Sequence, residues 1–172
     1  MIDAAHEYRL IERFYEEAEA MLTWPDERLF GHAAGVSGWS AAQHLEHLAR
    51  TNGRTFKGLR MLAEGKLPAE PGRPNVWGLL LLTLGRLPRG RTQAPAFARP
   101  PDDLSRAVLE RSLARNREAL AALRPYLGRL PGREARLRHP RLGMLDARQW
   151  LRFVRIHATH HLKIIRDVVS RL

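Results

Sequence analysis

The chain contains no cysteine, which excludes disulfides and thiolate metal sites and makes a reducing cytoplasm its natural setting. Any metal must then be held by imidazole or carboxylate groups. Long apolar runs are missing too. Nothing approaches the roughly 18 consecutive apolar residues that mark a spanning helix, and the run Leu79 to Leu82 is far too short to cross a bilayer. The opening stretch, Met1 to Leu22, is acidic and amphipathic, without the basic start and apolar middle of a signal peptide. A cytoplasmic protein with no membrane partner is the expectation. Lysine is scarce: Lys57, Lys66 and Lys163 are three of 29 basic residues, so the formal charge of +11 is almost entirely arginine. The arginines are dispersed through every segment. Those that do cluster, such as Arg86, Arg89 and Arg91, lie in a Gly/Pro-rich loop without interleaved aromatics. This pattern predicts a solvated basic surface and no dedicated nucleic-acid interface.

What is present is helical patterning. With 172 residues, 44% of them hydrophobic, the chain can bury a real core, and residues 1–172 read as one domain. Four long segments have helical periodicity and none reads as a strand. The first, from about Asp3 to Leu22, turns Leu10, Ile11, Phe14, Ala18 and Met21 inward, and Trp24-Pro25 ends it. The second follows Gly38-Trp39. Ser40 is its N-cap and Gln43 completes a capping box, each side chain serving a free backbone donor. It runs to about Glu64 with Ala41, Leu45, Leu48, Leu59 and Leu62 on the apolar face. Gly65 to Pro74 breaks it, and Val76 to Leu84 reads as a short helix inside a long connection reaching Pro101. The third runs from near Asp102 to about Tyr126, with Leu104, Val108, Leu109, Leu113, Leu120 and Leu123 inward. The fourth starts at a second capping box, Asp146 with Gln149, and runs nearly to Leu172. The expected fold is all-α, a four-helix bundle whose long connections require a crossover.

The fourth helix carries the anomaly. Trp150, Val154, His157, His161, Ile164 and Val168 alternate spacings of four and three, the seam a bundle helix turns to its core. Two histidines one turn apart interrupt that stripe. Residues at i and i+4 have Cβ atoms about 5–6 Å apart, close enough for two imidazoles to share one ion. Without a metal, each buried ring nitrogen needs another partner or costs about 1–3 kcal/mol in desolvation. A third ligand should come from another helix, and the second offers His44 and His47. On a helical wheel His44 falls nearer the apolar face and His47 towards its edge, so periodicity leans to His44. His160 lies on the flank and reads as a surface residue. His6, His32 and His139 read as surface or loop residues, Trp39 as packing at the entry to the second helix, and Trp77 as either a cap on the core or a pocket wall. Glu46 points away from the seam and is not expected to act as a base.

The stretch Gly38-Trp39-Ser40-Ala41-Ala42-Gln43-His44-Leu45-Glu46-His47-Leu48, with His157-Ala158-Thr159-His160-His161 far downstream, resembles the DinB/YfiT-like family of metalloenzymes. His139-Pro140-Arg141-Leu142-Gly143 and Ala94-Pro95-Ala96-Phe97-Ala98-Arg99-Pro100 resemble further stretches of that family. The resemblance implies that the histidine eight positions after Trp39, His47, joins His157 and His161 as metal ligands. Where many members carry Gln or His three residues after the final ligand, this chain has Ile164.

Three imidazoles leave positions open on a divalent ion, as in catalytic sites. Imidazole does not choose sharply among metals, so zinc or nickel is expected, with iron and manganese also open. The resemblance implies a thiol-dependent S-transferase that takes a low-molecular-weight thiol of the bacillithiol or mycothiol type and a small-molecule electrophile, serving detoxification or stress response. It also implies a homodimer. The alternatives are a hydrolase using metal-activated water, and a non-enzymatic bundle or basic nucleic-acid-binding module.

Overall fold

The computed structural model describes residues 2–68, 70–90, 93–132 and 135–172. Among them are six α-helices: α1 (Ala4–Met21), α2 (Asp26–Phe30), α3 (Ala41–Ala63), α4 (Val76–Leu84), α5 (Arg106–Leu123) and α6 (Ala147–Val169). Two short strands, β1 (Arg136–His139) and β2 (Gly143–Asp146), pair antiparallel. Both expected capping boxes are formed. The Ser40 hydroxyl accepts from the Gln43 N–H while the Gln43 side chain accepts from the Ser40 N–H, and Asp146 with Gln149 does the same for α6.

Two expectations about the elements need correction. The hairpin β1–β2 occupies a segment with no strand periodicity, because four-residue strands are too short to display an alternation. Its turn holds Gly143 in the left-handed region (φ 82°). A five-residue helix, α2, follows Pro25, in addition to the long helices that the periodicity announces. The third long helix begins at Arg106 and not near Asp102, because Ser105 accepts from the Val108 N–H and so provides the N-cap. It gives way at Arg124 to a 3₁₀ turn through Arg129 that carries Pro125 in its first turn.

Helix α1 runs antiparallel to α5: Tyr15 meets Asn116, and the carbonyls of Leu22 and Trp24 meet Arg106 at the other helix's start. It runs parallel to α6, with Glu7 against Arg152 and Arg155, and Glu17 against Arg166. Helix α3 faces α6 antiparallel, His44 opposite His161 and His47 opposite His157. Its end approaches the end of α5, where Tyr126 donates to Glu64. The four long helices therefore pack in the circular order α1–α6–α3–α5, with α3 and α5 pointing the same way. A parallel neighbour pair cannot be joined by a short loop, so the chain from Gly65 to Ser105 crosses the length of the bundle. Helix α4 and the 3₁₀ turn Ala96–Ala98 lie on that crossover.

Ile11, Tyr15, Leu45, Leu48, Phe56, Leu59, Leu109, Leu113, Leu120, Leu145 and Ile165 fill the core. Two polar arrangements sit within it. The Tyr15 hydroxyl donates to Asn116 Oδ1 and accepts from Asn52 Nδ2, both at 3.2 Å, pinning α1, α3 and α5 together with every partner satisfied. Glu7, 3% exposed, takes Arg152 at 2.9 Å and Arg155 at 2.8 Å. Trp77 does not cap the core; it is 68% exposed. The short helix buries only Gly78, Leu81 and Leu82. No helix among the described residues is long and apolar enough to cross a membrane.

Candidate metal centre

Antiparallel packing of α3 on α6 brings the start of one helix against the middle of the other. There His47, His157 and His161 converge, each offering one nitrogen within 4.8 Å of the others. The His157 Nε2 lies 3.3 Å from the His47 Nε2 and 3.1 Å from the His161 Nε2. Nitrogens bound at about 2.0–2.1 Å to one tetrahedral ion would stand about 3.3–3.4 Å apart, so these separations are close to those of a ligand set.

Two of the three rings are hydrogen-bonded from behind, and the buried His157 Nδ1 has no hydrogen-bond partner among the described residues. The His47 Nδ1 donates to the Ala98 carbonyl at 2.8 Å. A carbonyl only accepts, so the His47 proton is on Nδ1 and its Nε2 carries a lone pair into the site. The His161 Nδ1 faces the His44 Nδ1 at 2.8 Å. The His157 ring stacks on Phe153, centroids 5.5 Å apart and planes 17° apart. Trp39 covers the cluster, its ring 5.4 Å from His44, 5.1 Å from His47 and 6.5 Å from His161.

Burial makes these imidazoles poor proton acceptors. It pushes His44 down to about 3, aided by the neighbouring His47 and His160. His157 and His161 lie well below the ordinary histidine value, first through burial and then through neighbouring imidazoles, His47 for His157 and His157 for His161. Burial also lowers His47, although its bond to the Ala98 carbonyl opposes the shift. Neutral rings near pH 7 are the form that binds metal. The donor set fits a divalent cation for a second reason. The His157 Nε2 is in reach of two other ring nitrogens that one N–H cannot serve together, whereas one cation serves all three lone pairs.

The candidates from periodicity and resemblance are sorted here by geometry. His157 and His161 face one point together. His47 joins them from α3, and His44, which the wheel favoured, is also buried (3% exposed) but stands behind His161. His160 is half-buried rather than a plain surface residue; burial and the nearby Arg89 lower its proton affinity. His139 is a structural residue of the hairpin turn, its ring 4.5 Å from Phe153 and 5.1 Å from Trp150. Glu46 is 3% exposed and bonds Arg50 at 2.9 Å, away from the cluster. Ile164 is half-buried. The support from Ala98 went unread in the sequence, because a backbone carbonyl has no periodicity to betray it.

The chain matches the DinB superfamily over residues 8–165, and it belongs to that family. No curated protein and no solved structure matches it.

Proposed function

We propose that the protein is a metal-dependent enzyme in which His47, His157 and His161 hold a divalent ion, and that it transfers a low-molecular-weight thiol to an electrophile. The observation that carries this reading is the convergence of three Nε2 atoms, with His157 Nε2 at 3.1 and 3.3 Å from its two neighbours. Zinc or nickel suits three neutral imidazoles, and the open positions suit chemistry better than a structural role. When bound, such an ion supplies a Lewis acid that lowers the pKa of a thiol or water beside it.

The chain's own groups have separable tasks in this reading. The Ala98 carbonyl fixes the tautomer of His47, while Trp39 and Phe153 shield the rings from water. Arg89, itself paired with Asp167, and Lys163 lie near enough to His160 to lower its proton affinity. This basic neighbourhood favours a thiol bearing carboxylates. No carboxylate among the described residues joins the cluster. Water and thiol alike would give up a proton to act as nucleophile, and a thiol, whose ordinary pKa is about 8.5, gives it up far more readily than water. A thiol ionised by the Lewis acid makes a smaller demand.

Elemental analysis of protein purified without added metal, beside the His157→Ala/His161→Ala variant, tests the first half. Stoichiometric metal in the wild type and none in the variant is expected; equal metal in both would refute the site. Thiol consumption with a generic electrophile, compared with ester and amide hydrolysis, tests the second half. Hydrolysis without added thiol would replace the transferase by a hydrolase.

A further inference from the structure

His44 and Ser37 have no task in the site so far. His44 sits one turn before His47 on α3, and its Nδ1 stands 2.8 Å from the His161 Nδ1. Its Nε2 lies 2.9 Å from the Ser37 hydroxyl, which already accepts the Trp39 backbone N–H at 3.0 Å. A linear chain results, from His161 through His44 to Ser37.

Two facing ring nitrogens at 2.8 Å share one proton. When His44 holds it, the His161 proton sits on Nε2, inside the histidine cluster, and blocks that nitrogen. When His161 holds it, the His161 Nε2 carries a lone pair into the cluster. His44 then accepts at Nδ1 and donates from Nε2 to Ser37, whose oxygen receives both His44 and Trp39. The first arrangement leaves every donor and acceptor of the chain partnered; in the second the Ser37 hydroxyl hydrogen turns away from His44, towards solvent at this half-buried residue. His47 differs, because its carbonyl partner permits only one tautomer.

The geometry points to His44 as a positioning residue: together with Ser37 it takes the Nδ1 proton of His161 and holds that ring with its Nε2 lone pair towards His47 and His157. This rests on the metal reading and deepens it, since ring nitrogens opposite a metal ligand's bond orient the ligand and raise its basicity.

Titration of the metal-free full chain with Co²⁺ tests it, read by visible absorption and by NMR of the exchangeable ring protons. His44→Phe should weaken Co²⁺ binding by roughly 10–100-fold. His44→Asn, whose amide oxygen replaces the Nδ1 acceptor, should recover most of that loss, and Ser37→Ala should show a smaller one. All three should reach the wild-type spectrum at saturation, because the ligands are unchanged. The His161 Nδ1–H should exchange slowly in the wild type and fast in His44→Phe, a difference that packing alone would not produce. Should His44→Phe fail to fold, His44→Asn and Ser37→Ala carry the affinity and exchange measurements. Wild-type affinity with unchanged proton exchange in His44→Phe, or in Ser37→Ala where His44→Phe does not fold, would overturn the proposal. So would an altered saturated spectrum in His44→Phe alongside an unaltered one in His47→Ala, which would make His44 the ligand. A wild type that binds no Co²⁺ refutes the metal reading itself, a failure visible before any variant is compared.

Discussion

At His139 one ring nitrogen, Nδ1, accepts two backbone N–H groups, from Arg141 and Leu142, each at 3.2 Å. Burial against Trp150 and Phe153 lowers its pKa to about 4, and Arg141 adds to the shift. Protonation would turn that nitrogen into a donor facing two donors, which is why the turn resists it. The unfolded chain, with a pKa near 6.5, binds the proton more readily than the folded one between about 6.5 and 4. The stabilisation is therefore complete above about 6.5, is lost as pH falls towards 4, and changes little below. Its slope approaches about 1.4 kcal/mol per pH unit. Titration by NMR should give a His139 midpoint near 4, with the Arg141 and Leu142 amides losing exchange protection in step. A midpoint near 6.5 would contradict this account of the turn. Gly143 closes the same hairpin at φ 82°, where a Cβ would meet the Arg73 carbonyl oxygen at 2.8 Å and the Asn75 nitrogen at 2.9 Å. Gly35 has the same φ and nothing within 4 Å. Alanine at either position bears the backbone strain, but only Gly143→Ala adds a clash with main chain. Urea unfolding should show Gly35→Ala losing about 1 kcal/mol and Gly143→Ala clearly more.

Between elements, the Glu7 contacts show how far a helical pattern can be read. The apolar stripe of α1 predicts Leu10, Ile11, Phe14, Ala18 and Met21 inward; the last four are buried and Leu10 is half-buried. Glu7 is buried beside them because Arg152 and Arg155 reach it from α6, and no periodicity within α1 announces partners so distant in the chain. The same limit hid α2 and the hairpin, whose short elements are stabilised by what they pack on and not by a pattern of their own. Long amphipathic helices and capping boxes were legible, since both are local. Glu7→Gln should separate α1 from α6 in energy while leaving the core volume intact. Removing one partner of a buried ion group costs about 3–5 kcal/mol. Arg152 and Arg155 retain 26% and 21% side-chain exposure, so water relieves part of that cost and the lower end of the range is expected. Chemical denaturation measures it; a loss within about 0.5 kcal/mol, as for an ordinary surface change, would show that the ion group contributes little.

Across the whole molecule, the candidate centre is the place where two halves of the chain meet. His157 and His161 were legible from one helix, because their spacing lies on the seam. The third histidine was not: the wheel favoured His44, and only the family likeness pointed to His47. The choice depends on the depth at which α3 crosses α6, which is a tertiary quantity. An ion held by His47, His157 and His161 would tie α3 to α6 across the bundle, and no bond of the unfolded chain would replace it. Binding to the folded state alone adds stability by mass action, about 2.7 kcal/mol when free metal is 100 times its Kd. For a chain of this size, about 2–4 °C per kcal/mol converts this to a rise in Tm of roughly 5–11 °C. Adding Zn²⁺ or Ni²⁺ to the chelator-treated protein should produce that rise, increasing with metal concentration, and excess chelator should reverse it. The His47→Ala/His157→Ala/His161→Ala variant should melt at one temperature with or without metal. If the wild type and this variant respond alike, the ion binds elsewhere, through surface groups that any protein offers, and α3 and α6 are held by packing alone.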